Sequence, residues 1–208
     1  MLLYDNIIPL GDHCIGAIIL KELNLRKCAY PYDWFSSSSS NLDDSNMNWI
    51  IENLIKLLNA ENINIFIDNL LNNMFGNCFE NNDLKNNVNK NNDLWFPHEY
   101  GTRIEIISKY KNRFNRLYQD IINKNKNLFI IITRKYKIDE NKLLELSNII
   151  KKYNGENKIL IISGISYDYT IDNIIFKYIH YDETKFWNYD YTDFRPNIKS
   201  FLHHWFEL

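Results

Sequence analysis

A cysteine stands at the head of an apolar run in GDHCIGAIILKELNL, residues 11–25. The isoleucines after it recur at helical spacing and predict a helix over 12–25, with Asp12 as its N-cap. A thiol at a helix N-terminus meets the positive end of the helix dipole and backbone N–H groups without intrahelical partners, and both stabilise the thiolate. The same N–H groups could hold the oxyanion of an acyl-transfer reaction. Cys14 is therefore a candidate nucleophile, with His13 beside it in the chain.

The alternative for Cys14 is a structural role in the core. Free cysteine behaves as a small apolar residue and is among the residue types most often buried. On the chemistry of this residue alone, a core cysteine is favoured over a nucleophile. The choice therefore depends on the other groups that the sequence could bring to the thiol.

A cysteine nucleophile needs a general base, which need not be close in sequence. His98 ends the aromatic run LWFPH, where a strand is expected to meet a loop, and such a position can hold an imidazole rigidly with one face open. His180, in KYIHYDE, is a second candidate, and Asp182 is near enough in the chain to orient it. For each histidine alone, a structural or surface position is the alternative. His203 and His204 are expected on the face of a C-terminal helix.

A third side chain would fix the tautomer and the orientation of the histidine. Asp33, in YPYDWF, is a candidate because an acidic residue among aromatic residues is expected to be paired. The alternative for Asp33 is a role in forming a turn before the serine run that follows. Asn188, Asp190 and Asp193 are rival candidates for the third side chain.

Other kinds of chemistry find little support in the sequence. It contains no Walker loop, no dinucleotide-binding glycine pattern and no histidine–carboxylate cluster with zinc spacing, so we expect no cofactor and no metal. The formal net charge of −2 provides no basic field for nucleic acid, so no nucleic-acid partner is expected. The expected partner is a protein or peptide substrate.

The location of the protein is also constrained by its sequence. No segment has the roughly 18 uncharged apolar residues that a membrane span needs, and the N-terminus lacks the basic region of a signal peptide. The three cysteines have no metal spacing, and an odd number fits poorly with a disulfide framework. We therefore expect a reduced, cytoplasmic compartment. The abundance of asparagine, isoleucine and lysine is typical of an AT-rich genome, which indicates a giant virus or an AT-rich protist as the source.

The elements that would position these residues alternate between strand and helix. Apolar residues make up 45% of the 208 residues, which indicates one globular domain over 1–208, with a low-complexity loop at 81–93. Buried strands are predicted at 6–11, 127–134, 157–164 and 173–181, and helices at 12–25, 47–60, 101–124, 139–155 and over the C-terminal tail. The pattern predicts a layered α/β domain with a mostly parallel central sheet flanked by helices. An α+β, papain-like fold is the alternative.

Four segments between these elements are less regular. The chain is expected to be extended over 27–35, to form a polar loop over 36–46 and to form a short aromatic strand or turn over 94–100. The segment INIFIDNLLNNMFG is ambiguous between strand and helix. The helix at 101–124 is expected to bury one face, made by Ile104, Ile107, Tyr110, Phe114, Leu117 and Ile121.

The segment IIPLGDHCIGAIILKELNLRKCAYPYDWF resembles the start of a family described as "putative papain-like cysteine peptidases". Members of that family open with serine-leucine-glycine, two residues and a cysteine, followed by a helix and a Pro-Phe-Asp-Trp box. This chain has PLGDHC and PYDW, and its WFPHEY and YKNRFNRL are similar to the His-Asp run and the basic helix of the family. The resemblance spans roughly residues 6–135. The chain departs from the pattern at Tyr32, which replaces phenylalanine, and at Glu99, which replaces aspartate.

The resemblance implies a cysteine peptidase with Cys14 as the nucleophile and His98 as the base. Asp33 is then the acid of the box, whether it orients His98 or only builds the site. Three further residues are expected to support the site and its oxyanion, namely Asp12, His13 and Trp34. The substrate implied by the resemblance is a peptide, an isopeptide or another acyl compound.

Two alternatives remain open at this point. The first is a non-catalytic α/β binding module, in which Cys14 is packed in the core. The second is a thiol hydrolase or transferase on a layered sheet, with His180 as the base. The geometry around the Cys14 sulfur distinguishes these possibilities.

Overall fold

Parallel strands form the centre of the protein. The computed structural model describes residues 3–11, 14–33, 36–37, 45–75, 88–89, 94–95, 101–133, 137–180 and 194–208. The strands are β1 (Asn6–Gly11), β2 (Ser36–Ser37), β3 (Val88–Asn89), β4 (Leu94–Trp95), β5 (Asn127–Thr133), β6 (Lys158–Ser163) and β7 (Ile174–Tyr178). The helices are α1 (Ile15–Glu22), α2 (Ser45–Leu58), α3 (Ile63–Phe75), α4 (Arg103–Ile122), α5 (Glu140–Tyr153) and α6 (Phe194–Trp205).

The central sheet has the strand order β1-β5-β6-β7, and all its pairings are parallel. A second, short antiparallel sheet has the order β2-β4-β3. The parallel sheet with its flanking helices confirms the predicted layered α/β fold. The α+β alternative does not fit, because the sheet of a papain-like half would be antiparallel.

Both faces of the central sheet are covered, as expected for parallel strands. Along β5, Phe129 and Ile131 pack into a core with α2, α3, α4 and α5. The alternating residues Leu128 and Ile130 pack into a second core with α1 and α6. Every residue of β5 is buried, which explains the unbroken apolar run in its sequence. The protein therefore has helices, sheet and helices in three layers.

β1 forms one edge of the central sheet and carries Pro9. Proline has no N–H to donate, so an edge strand is the position that tolerates it. β1 ends at Gly11, and α1 begins four residues later at Ile15. The start of α1 therefore lies at the carboxyl edge of the sheet, where open α/β sheets bind their ligands.

The amino edge of the same sheet is bound together by an asparagine ladder, made of Asn6, Asn127, Asn157 and Asn173. The Asn6 side chain donates to Asn127 Oδ1 at 3.0 Å, and the Asn127 backbone N–H donates to Asn157 Oδ1 at 2.8 Å. Asn173 Nδ2 donates to the backbone carbonyl of Asn157 at 3.2 Å. The ladder therefore runs across all four strand beginnings, and its last three residues are buried.

The predicted elements are mostly confirmed. The strands at 6–11, 127–134, 157–164 and 173–181 form, as do the helices at 47–60, 101–124 and 139–155 and the C-terminal helix. The ambiguous segment INIFIDNLLNNMF is the helix α3. Within the polar loop predicted at 36–46, the first two residues form β2; within the low-complexity stretch at 81–93, Val88–Asn89 forms β3, and the other residues of that stretch lie outside the described part.

Three local predictions are wrong. Asp12 is not the N-cap of α1, because the first helical hydrogen bond runs from Ile18 N–H to the carbonyl of Cys14, at 3.0 Å, which makes Cys14 the N-cap. The part of 27–35 that is described ends in a turn rather than an extended strand. Ile104 was expected inside but is 81% exposed, while Ile106 is buried, because the buried face of α4 runs through Ile106 and Tyr110.

Within the described residues, no helix has both the length and the apolar character needed to cross a membrane. This agrees with the absence of a candidate span in the sequence.

Candidate active site

Cys14 occupies the N-cap position of α1, just beyond the carboxyl end of β1. Its backbone has helical angles, with φ −67° and ψ −6°, and its side chain makes no capping hydrogen bond. The usual N-cap conformation is extended, which directs the side chain back to the first amides. The N–H groups of the first turn therefore remain without a side-chain cap from Cys14, and these groups carry the positive end of the helix dipole.

Cys14 is half-buried and is not part of either core cluster. The core position that residue chemistry favoured is therefore wrong. The binding-module alternative also required Cys14 in the core, and the structure does not support that requirement. Cys14 and Cys28 are both present as thiols rather than as a disulfide.

Asp33 closes a turn with Tyr30, which explains why the segment is not extended. The backbone N–H of Asp33 donates to the Tyr30 carbonyl at 3.4 Å. In return, the Tyr30 N–H donates to Asp33 Oδ2 at 2.8 Å. Pro31 follows Tyr30, at the turn position that proline favours. The turn-forming role proposed as the alternative for Asp33 is therefore present.

The carboxylate of Asp33 is fully buried and paired with a cation. Its side chain has 0% exposure, and the guanidinium of Arg26, with a side chain 12% exposed, binds its Oδ2. Burial raises the pKa of Asp33, while Arg26, the Tyr30 N–H and Arg113 of α4 lower it, and the net direction is upward from the ordinary value. Desolvation of the carboxylate therefore outweighs the charges that stabilise it.

A small cavity of about 10 Å³ lies between Asp33 and the start of α1. It is lined by Gly11, Gly16, Ala17, Tyr32 and Asp33, among others. This space is enough for about one water molecule. Asp33 Oδ1 is buried and has no hydrogen-bond partner among the described residues. The box that contains Asp33 and the helix that begins at Cys14 are therefore neighbours.

The segment that carries Asp33 is held against α4. The Tyr30 hydroxyl donates to Asp120 Oδ2 at 2.8 Å, and Arg116 donates to the Ala29 carbonyl at 2.9 Å. The edge of the Tyr32 ring packs on Phe114, with the centroids 5.7 Å apart. Burial, followed by hydrogen bonding to Cys28 and Asp120, raises the pKa of Tyr30, so its hydroxyl stays protonated and donates. These contacts hold the segment that lines the cavity against α4.

A family model described as "Putative papain-like cysteine peptidase" matches residues 5–162. The chain belongs to this family. The matched range contains β1, α1, the Asp33 turn and the helices and strands as far as β6. No curated protein and no solved structure matches the chain. The family's own description supports cysteine peptidase chemistry at the level of the family.

Several of the expected site residues lie outside the described part of the chain. These are His98, Asp12, His13 and Trp34, together with the rivals Asn188, Asp190 and Asp193. The described strands nevertheless constrain the connection between two parts of the site. Ser36 of β2 pairs with Trp95 of β4. The chain three residues after Asp33 is therefore hydrogen-bonded to the chain three residues before His98.

His180 is described, and the structure does not bring it to Cys14. It is exposed and follows β7, at the opposite edge of the sheet from β1. Three strand spacings separate the two edges, which is about 14 Å. Its Nδ1 lies 3.4 Å from the Tyr178 hydroxyl, while Asp182 is outside the described residues. A Cys14–His180 dyad is therefore not favoured by this geometry.

Sequence reasoning missed Arg26, the partner of Asp33. It lies seven residues before Asp33 and just after α1. The signal was indirect: a carboxylate enclosed by aromatic residues has to be paired, and Arg26 is the arginine in the same segment. In the part of the chain that is described, no group of His, Cys, Asp and Glu is arranged to hold a metal ion.

Proposed function

We propose that the protein is a cysteine-dependent hydrolase, most simply a peptidase, with Cys14 as its nucleophile. The observation that carries the proposal is the place of Cys14: a half-buried thiol at the N-cap of α1, at the carboxyl edge of a parallel sheet. Positive helix-terminal potential favours the thiolate at this position. Membership of the family supports the same chemistry.

His98 is the proposed general base. The pairing of β2 with β4 supports this choice, because it ties the chain next to Asp33 to the chain next to His98. Asp33 lies beside the first turn of α1, so a histidine near Asp33 would also be near Cys14. The order of nucleophile and base along the chain is the one that the family resemblance implies. Asp12, His13 and Trp34 would complete the surroundings of the thiol.

The proposed reaction has two steps. The Cys14 thiolate attacks the carbonyl carbon of a peptide, isopeptide or other acyl substrate, and the N–H groups at the start of α1 stabilise the oxyanion. Protonated His98 then gives its proton to the leaving amine, which departs as a thioester forms. In the second step His98 takes a proton from water, the resulting hydroxide attacks the thioester, and the carboxylic acid product leaves while the Cys14 thiolate and protonated His98 are restored.

The test is the rate of Cys14 alkylation by iodoacetamide as a function of pH. The protein carries C28S and C78S, so that Cys14 is the one thiol left, and it is compared with the same protein carrying His98→Ala. We expect fast alkylation at pH values below the ordinary cysteine pKa of about 8.5, and a profile that moves to higher pH without His98. Slow alkylation that does not depend on His98 would overturn the proposal and favour a non-catalytic binding module.

Cys28 provides the matched control. It is also a half-buried thiol, but it lies outside any helix, close to the Tyr30 hydroxyl and Asp120. In a protein with C14S and C78S, the alkylation profile of Cys28 should not respond to His98→Ala. A response of Cys28 to His98 would show that the substitution disturbs the fold rather than one site.

A further inference from the structure

A buried carboxylate next to a catalytic thiol poses an electrostatic problem. Asp33 lines the cavity that Gly16 and Ala17 of α1 complete, one turn from Cys14. A negative charge at a helix N-terminus competes with the thiolate for the same positive potential. At pH values above its raised pKa, Asp33 is ionised. Something must therefore neutralise this charge if the thiolate of Cys14 is to be favoured.

Arg26 is placed to do this. Its guanidinium binds Asp33 Oδ2, the same oxygen that accepts from the Tyr30 N–H, while Oδ1 has no hydrogen-bond partner among the described residues. Both side chains are largely withdrawn from water, at 12% and 0% exposure, so solvent screens the pair weakly. Arg113 of α4 is the second cation whose charge acts on Asp33, and its guanidinium lies 4.8 Å from the centre of the Tyr110 ring.

We infer that Arg26 is a positioning residue of the active site, which orients Asp33 through Oδ2 and cancels its charge beside the first turn of α1. This inference rests on the proposed function. Arg26 acts through Asp33, and Asp33 acts on the potential at Cys14. The cavity between Asp33 and the first turn of α1 holds about one water molecule, so a substrate does not reach Asp33 through it.

The test uses the sign of the charge left behind by each substitution. In the C28S/C78S protein, Arg26→Met leaves a net negative charge at pH values where Asp33 stays ionised, so the alkylation profile of Cys14 should move to higher pH there. Asp33→Asn leaves a net positive charge, so the profile should move to lower pH. A unit charge about 10 Å away, through an effective dielectric constant of about 20, changes the thiolate fraction about tenfold. Arg26→Lys keeps the charge and should shift the profile least.

The double variant R26M/D33N removes both charges and should return the profile close to that of the parent. Replacing a whole buried ion pair is often tolerated, whereas removing one partner is not. If R26M alone does not fold, comparing D33N with the double variant still isolates the charge of Arg26, and the double variant should alkylate at higher pH than D33N. Far-UV circular dichroism of each variant establishes that it is folded.

Shifts of R26M and D33N in the same direction would overturn the inference, because damage to a merely structural pair moves Cys14 toward the behaviour of an ordinary cysteine in both. Equal profiles for D33N and the double variant would also overturn it. The proposed function fails separately, if the parent protein shows no activated thiol. If the parent thiol is activated but its alkylation profile is unchanged in the Arg26 and Asp33 variants, this inference fails while the proposed function still holds.

Discussion

At the scale of single residues, Cys14 and Asp33 occupy opposite electrostatic settings. Cys14 lies at the N-cap of α1, where the positive end of the helix dipole favours a negative charge. Asp33 lies in a desolvated position that disfavours its own negative charge and therefore depends on Arg26. The two residues lie near the same small cavity, because Asp33 and the first turn of α1 both line it. We therefore expect the charge state of Asp33 to influence that of Cys14.

The raised pKa of Asp33 predicts how stability depends on pH. Between the ordinary aspartate pKa of about 3.9 and the raised pKa of Asp33, the folded protein binds more protons at this site than the unfolded chain. The free energy of unfolding that this residue contributes therefore falls as pH rises through that window. Urea unfolding of the parent and of Asp33→Asn, between about pH 4 and pH 7, should show that the substitution removes this downward slope.

Asp168 provides a control of opposite sign. Lys137 lowers the pKa of this carboxylate, so its contribution is present above about pH 3.9 and is lost as pH falls. Asp168→Asn should leave the downward slope between about pH 4 and pH 7 unchanged, since its own effect lies at lower pH. An identical response of the two variants would contradict the assignment of the slope to Asp33.

At the scale of elements, the helices differ in how their N-termini are capped. α4 begins with a capping box, in which Thr102 accepts from the Glu105 N–H and Glu105 accepts from the Thr102 N–H at 2.7 Å. α5 begins with Asp139, which accepts from the Lys142 N–H at 3.1 Å. At α1, the N-cap residue Cys14 makes no such side-chain bond. The lack of a cap from Cys14 is consistent with the proposed role of the first amides of α1 in binding an oxyanion.

Two glycines near helix starts predict opposite responses to alanine. At Gly16, an added Cβ would lie 3.5 Å from Pro9 and 3.6 Å from Ile132, which is ordinary contact, so Gly16→Ala should stabilise the protein by about 0.5–1 kcal/mol. At Gly101, φ is +130° and the Cβ would lie 2.9 Å from the Glu105 carboxylate. Gly101→Ala should therefore cost at least about 1 kcal/mol. Urea midpoints measure both, and equal changes would contradict the argument.

The elements were largely predictable because their apolar patterns are long. The run NLFIIIT suits a strand that is buried on both faces, and β5 is one. In α3 the alternation of INIFI fits a strand while the wider spacing fits a helix, and packing on α4 decides between them. On α4, Ile104 and Ile106 both fit a helical face, and their burial depends on where the core ends. That boundary is set by the tertiary fold, so the helical periodicity of the sequence does not reveal it.

The site was predictable only where it depends on local sequence. The expectation that Asp33 is paired is confirmed. Its partner Arg26 could not be predicted, because the two side chains come together only through the turn at Tyr30. The start of a helix near Cys14 is confirmed, whereas its partial exposure depends on β1 and α1 leaving the sheet edge open. The roles of Cys14 and His98 stay predictions until they are tested chemically.

At the scale of the whole molecule, the asparagine ladder joins the strands at the edge of the sheet opposite the candidate site. Asn157 is fully buried, accepts from the Asn127 N–H and donates to the Ile150 carbonyl at 2.9 Å. A buried amide that satisfies several backbone groups fixes the register of the strands around it. The ladder therefore stabilises the frame on which β1 holds the start of α1.

We expect a large loss of stability when Asn157, the central side chain of the ladder, is removed. Asn157→Ala leaves the Asn127 N–H and the Ile150 carbonyl without these partners, which should cost about 1–3 kcal/mol in the free energy of unfolding. Asn148→Ala is the matched control, because Asn148 is exposed on α5, and it should change stability by no more than about 0.5 kcal/mol. Urea unfolding compares the two, and similar losses would contradict a special role for the ladder.

The pairing of β1 with β5 also affects the order in which the strands of the central sheet can pair during folding. Asn6 lies opposite Asn127, and the two are 121 positions apart. β5, α5 and β6 follow one another closely, so their contacts close short loops, whereas joining β1 to them closes a long one and is slow. During synthesis, Cys14 and β1 leave the ribosome long before β5, the strand that pairs with β1. A growing chain therefore carries Cys14 before its surroundings are complete, and under the proposed function this thiol becomes a nucleophile only once β5 has been made.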